Sequence, residues 1–89
     1  MSLSNVFIND LPSLDLHGYD RETARLAIND FIKEQKKLQN KTVLIIHGRG
    51  TGIIKKITHE TLKKNKDVLE YQTDFFNDGV TIVRISIWQ

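Results

Sequence analysis

Two histidines in this chain each close a short apolar run and are each followed by glycine, in "LDLHG" from Leu14 to Gly18 and in "VLIIHGRGTG" from Val43 to Gly52. Imidazole is the side chain whose ordinary pKa lies nearest neutrality, so two of them at one place can move protons both ways. One would accept a proton from an attacking hydroxyl while the other supplies one to a leaving oxygen, a contribution of about 10²–10⁴-fold. Asp15, two residues before His17, would orient an imidazole and stabilise its charged form. Gly48, Gly50 and Gly52 follow His47, with Arg49 and Thr51 between them and Lys55 and Lys56 just beyond. Glycines that lead into a helix expose backbone N–H groups and let an anion approach them closely.

The chemistry these residues fit is cleavage of a phosphodiester. Loop amides and Arg49 would hold the phosphate and the charge that develops on it. On RNA the 2′-hydroxyl serves as nucleophile and no metal is needed. On DNA the nucleophile is water, and a divalent metal on Asp15, His17 and His47 is the alternative. The loop breaks the Walker pattern, and Ile53 stands where G-x-G-x-x-G requires its last glycine, so no nucleotide cofactor is expected. Bland readings stand beside these. A strand-end histidine can cap backbone, Asp15 can pair with a basic neighbour, and the glycines can simply make a turn. His59, near Lys55, Lys56 and Lys63, reads as a solvated surface histidine, and Lys33, Lys36, Lys37 and Lys41 as a solvated helix face.

The elements that must position these groups follow from the pattern of the chain. Ser13–His17 reads as a strand. Asp20 caps a helix with Glu22 in its first turn, and Ala24, Ala27, Ile28, Phe31 and Ile32 recur at helical spacing up to about Leu38. Thr42–His47 reads as a second strand. A second helix starts at Thr51 or Gly52 and turns Ile53, Ile54, Ile57, Thr61 and Leu62 inward. Val68–Asp74 alternates as a third strand, Asn77–Gly79 is a turn, and Val80–Ile87 is a β-branched fourth strand. The order β-α-β-α-β-β predicts an α+β, two-layer sandwich with a four-stranded mixed sheet and both helices on one face. The first two strands should be parallel neighbours, the last two antiparallel, and the most apolar strand, the last, central. Parallel neighbours lie about 4.8 Å apart, so His17 and His47 would stand side by side at the edge where open α/β sheets place ligands. Asp15 and His17 would face the open side, joined there by Arg84.

Composition bounds the rest. The chain has 89 residues, enough for one domain: an arm over residues 1–12 and a folded unit over 13–89. A net charge of +2 permits a nucleic-acid partner without requiring one. There is no cysteine, which suits a cytoplasmic protein, and no apolar run approaches the roughly 20 residues of a membrane span. A monomer is expected.

Together, "LDLHG", "IIHGRGTG" about 30 residues on, and "DGVTIVRI" resemble a small MutS-related (Smr) domain of the short free-standing bacterial form, over Leu14 to about Ile87. The resemblance implies a fold like the C-terminal domain of translation initiation factor three. It implies nucleic-acid binding and, in several members, endonuclease cleavage of DNA or RNA, with links to DNA repair or to messenger RNA on stalled ribosomes. The family's Asp-Leu-His motif falls on Asp15, Leu16 and His17, and its His-Gly-x-Gly motif on His47, Gly48, Arg49 and Gly50. The rival classes are a binding module for nucleic acid or ribosome without catalysis, and a protein-interaction domain that uses the open sheet face and Trp88.

Overall fold

A computed structural model describes residues 10–88. Six elements follow in the expected order: β1 (Ser13–Asp15), α1 (Arg21–Lys37), β2 (Thr42–Ile46), α2 (Ile53–Lys64), β3 (Val68–Thr73) and β4 (Val80–Ile85). The sheet runs β1-β2-β4-β3, with β1 parallel to β2 and β4 antiparallel to both β2 and β3. β4 is thus an interior strand, as its apolar sequence demands. Most of the arm predicted over residues 1–12 lies outside the described residues; Pro12 at its end accepts a hydrogen bond from the Leu44 amide.

Pleat alternation sorts the sheet into two faces. Val43 pairs with Val83 and Ile45 with Thr81, and these four side chains are fully buried. They form one core with Leu16, with Ala24, Ile28 and Ile32 of α1, and with Leu62 of α2. Both helices therefore cover this face. Each buried aliphatic side chain contributes about 1.5–3 kcal/mol, and this layer fixes how the strand ends stand relative to α2.

The helix ends show how local chemistry sets the boundaries. The Asp20 carboxylate caps α1 by accepting from the Thr23 amide at 2.8 Å. At the other end the Gln39 and Asn40 amides donate to the Lys36 and Gln35 carbonyls, a Schellman closure that puts Gln39 at φ 61°. The start of α2 differs. Gly52 is its N-cap at φ 85°, no side chain caps it, and its first turn carries no acidic residue. Ile53, expected inward, is half exposed because it precedes the point where α2 reaches the sheet. Thr58 is buried in its stead, its hydroxyl donating to the Ile54 carbonyl.

Candidate functional site

The carboxyl ends of β1 and β2 meet at one edge of the sheet, where the Leu16 amide donates to the Ile46 carbonyl at 2.9 Å. β1 ends at Asp15, two residues before the predicted His17. Its carboxylate accepts the His17 amide at 2.9 Å, and Gly18 turns the chain at φ 80°. An aspartate that closes a turn on the amide two residues ahead competes with the strand ladder and ends it. His17 thus stands exposed in a turn, with its ring nitrogens in no hydrogen bond among the described residues.

The two histidine motifs do not present one matched face. Leu14 and Leu16 enter the core and Asp15 is exposed, so Asp15 faces away from the helices. His47 continues the face of Val43 and Ile45 and points under the helices, where its Nε2 lies 2.8 Å from Thr81 Oγ1. Asp15 and His47 are therefore on opposite faces, not the shared one. Among the described residues no three His, Asp or Glu side chains gather closely enough to hold a metal ion, Asp15, His17 and His47 included. Arg84 shares the face of Asp15 but sits at the far end of the sheet. It pairs with Thr42, four residues along β2 from Ile46, the partner of Asp15. That is about 13 Å at strand rise; Arg84 instead faces Glu70 at 3.5 Å.

His59, read from sequence as a surface histidine, is the residue His47 meets. α2 turns it inward so that its Nε2 lies 2.8 Å from the same Thr81 hydroxyl. Its ring packs against Tyr71 at 5.1 Å and edge-on to His47 at 5.9 Å. The donor inventory assigns every proton in this chain of contacts. His47 Nδ1 lies 3.1 Å from the Gly48 carbonyl, which only accepts, so Nδ1 carries the hydrogen. In the neutral ring Nε2 is then an acceptor, and the Thr81 hydroxyl donates to it. With its one hydrogen used, Thr81 accepts from His59 Nε2–H. Burial holds the pKa of both imidazoles below the ordinary histidine value, and the nearby Lys55 ammonium pushes the same way. For His59 the neighbouring His47 also disfavours charge. The signal that could have found His59 was its place three residues before the buried Leu62 and four after Lys55. That stripe flanks the inward face, and Lys55 itself is half-buried.

The glycine loop is clamped from the other side by the β3–β4 turn. The His47 and Gly48 amides both donate to the Gly79 carbonyl, at 2.9 and 3.0 Å. Gly48 and Gly52 take positive φ, 79° and 85°. Gly50 does not, and a Cβ there would meet nothing within 4 Å, so neither backbone conformation nor crowding within the described residues requires glycine there. Arg49 is exposed, its Nε 2.8 Å from the Asp78 carboxylate and an Nη 3.5 Å from the Asn77 side-chain oxygen. Thr51 accepts the Ile53 amide at 3.4 Å, and Lys56 is exposed. The loop therefore lies open to solvent, backed by a helix start whose N-cap, Gly52, brings no side chain, and flanked by Arg49, Lys55 and Lys56.

These features define a small two-layer α+β domain that presents a glycine-rich, cation-flanked loop beside the ends of two parallel strands. The model of the Smr domain matches residues 14–86, and the chain belongs to the Smr domain family. It is 36% identical over 66 residues to the endonuclease MutS2 of Staphylococcus carnosus, covering 74% of this chain and 8% of that protein. It is 35% identical to endonuclease MutS2 of Staphylococcus saprophyticus, over 81% of this chain and 10% of that one. The chain thus spans about a tenth of the length of these relatives. Its fold is similar to the crystal structure of the Smr domain of Thermus thermophilus MutS2, with TM-score 0.81 and 27% identity over 84% of this chain and 98% of that one. It is also similar to YdaL, a stand-alone small MutS-related protein from Escherichia coli, with TM-score 0.77 and 27% identity over 82% of this chain and 63% of that one.

Proposed function

We propose that this domain binds a nucleic-acid backbone at the glycine loop and cuts its phosphodiester bonds. The observation that carries the reading is the convergence at one sheet edge of an exposed imidazole, His17, with an open, cation-flanked glycine loop beside it. Relatives that share the family are named endonucleases, which supports the activity. The contacts of each histidine support a division of labour other than a matched histidine pair. Among the described residues both ring nitrogens of His17 are without a partner, and His17 is the proton carrier; Asp15 fixes the turn that presents it. His47 has both nitrogens engaged, so it is a positioning residue that ties Gly48 to Thr81. Loop amides, Arg49, Lys55 and Lys56 hold the phosphate and stabilise its developing charge. The cleavage proceeds without a metal: the 2′-oxygen of RNA bonds to phosphorus as His17 takes its proton, the P–O5′ bond breaks, and the departing 5′-oxygen takes a proton from the His17 imidazolium or from water, leaving a 2′,3′-cyclic phosphate.

The test is to incubate the purified chain with end-labelled single-stranded RNA, duplex DNA and nicked DNA, with EDTA and with manganese. RNA cleavage in EDTA, leaving a 2′,3′-cyclic phosphate or its opened form, is expected. His17→Ala should abolish it while binding persists. Cleavage only with manganese, giving 5′-phosphate ends, overturns the metal-free step. Because among the described residues just one histidine at the edge has ring nitrogens without a partner, a second reading is a binding module. Retained binding with no cleavage of any substrate establishes that reading instead.

A further inference from the structure

The loop between β3 and β4 carries Phe75 and Phe76, and they are almost wholly exposed, at 90% and 87%. Two large apolar rings side by side in water mark a contact surface. They touch each other edge to face, with centroids 5.0 Å apart and planes at 82°. In that arrangement one ring braces the other and leaves flat faces open to solvent. Their position is the telling part. Asn77 and Asp78, the next two residues, hold Arg49, and Gly79 accepts from the His47 and Gly48 amides. The same turn that clamps the glycine loop therefore lifts the two rings beside it. Consecutive Cα atoms are about 3.8 Å apart, so Phe76 stands one residue from an Arg49 contact and Phe75 two.

We propose that Phe75 and Phe76 are a base-stacking platform, and that the ligand of this domain is a single strand with unpaired bases next to the bound phosphate. This rests on the reading of the glycine loop as a backbone site. A ligand that needs cations and amides at one point and open aromatic faces immediately beside it is one that alternates phosphate and π-surface. Single-stranded nucleic acid does so at every nucleotide, and every base has a face to stack whatever the sequence. A duplex does not, because its bases are already stacked on each other. Of the acidic groups nearby, Asp78 meets Arg49 in an exposed pair that a phosphate must compete with, and Asp74 is half-buried at the foot of the turn.

The experiment titrates the full chain into a single-stranded oligonucleotide carrying 2-aminopurine, and into a blunt duplex of the same sequence. Stacking should quench the single-strand fluorescence. Phe75→Ala and Phe76→Ala should each lose the quench and weaken single-strand binding by roughly 5- to 150-fold, the range for one base on one ring. Duplex affinity and melting temperature should stay unchanged. Tyrosine at either position should preserve binding, whereas leucine, apolar but without a π-face, should not. Full affinity in the leucine variants would overturn stacking. Unchanged single-strand affinity in all variants would do the same and leave the rings as a protein contact, with the phosphate site intact. No binding of either nucleic acid by the parent chain would overturn the backbone site and the platform together.

Discussion

Replacing Thr81 with valine tests the proton arrangement that joins β2, β4 and α2. The exchange swaps a hydroxyl for a methyl of nearly the same shape at a position with no exposed surface. It removes two hydrogen bonds, each 2.8 Å long. At about 0.5–1.5 kcal/mol apiece the loss is about 1–3 kcal/mol. Burying the new methyl returns up to about 0.8 kcal/mol. The ring nitrogens left behind are only half-buried, so water reaches them and limits the further cost. Taking about 1 kcal/mol as the central value for each bond, about 2 kcal/mol is lost and at most about 0.8 regained; the net destabilisation is about 1–2 kcal/mol, which lowers Tm by about 4–15 °C in a domain of this size. Urea unfolding followed by far-UV circular dichroism measures it, beside a His59→Phe variant that keeps the ring volume. In the phenylalanine background Thr81→Val should cost about half as much, since only the His47 bond remains to be lost. A Thr81→Val loss below about 0.5 kcal/mol in the parent chain would refute the assignment of one hydroxyl to two imidazoles.

Further perturbations address the other devices. Stability should fall as pH drops below about 6.5, where unfolded histidines begin to take up protons. The folded His47 and His59 resist charging, so the stability present above that pH is lost as pH falls through their lowered values. Melting at pH 7.5 and 5.5 measures this; His59→Phe should shrink the difference, and a flat profile in the parent contradicts it. Gly79→Ala should destabilise by about 1–3 kcal/mol, because its Cβ would lie 3.2 Å from the Gly48 backbone. Gly50→Ala should stay within about 0.5 kcal/mol of the parent in urea while weakening nucleic-acid binding, since the space above it is open. Gln39→Gly should stabilise by about 0.5–1 kcal/mol by relieving a left-handed residue at the end of α1, read as a higher Tm.

The order of elements, the parallel and antiparallel pairings and the interior place of β4 were legible because hydrophobic period and loop length determine them. So was Asp20, whose capping needs only its neighbours. The site was legible in its ingredients but not in its grouping. Pleat parity was carried through to His17, but Asp15 had already closed the strand on the His17 amide. His59 lies on the flank of the α2 stripe, where sequence spacing alone cannot tell sheet from solvent. The seating of α2 on β4 decides that, and it brings His59 to Thr81, which lies 22 residues further on. Gly50 resembled Gly48 and Gly52 in sequence, yet only the latter two take positive φ. The pairing of Arg49 with Asp78 joins residues far apart in sequence, which no local pattern reveals.

The position of β4 bears on how the molecule comes into being during synthesis. Of the described elements it is the last in chain order, yet it lies between β2 and β3, so until β4 arrives β3 has no strand partner and β2 has only β1. Long-range pairings of this kind form late and together. A nascent chain that has emerged only as far as α2 carries His47 and the glycine loop. It lacks the Thr81 hydroxyl that seats the ring and the Gly79 carbonyl that receives the loop amides. Such a chain has the loop without the contacts that seat it, and both contacts arrive together, with β4 and the turn before it.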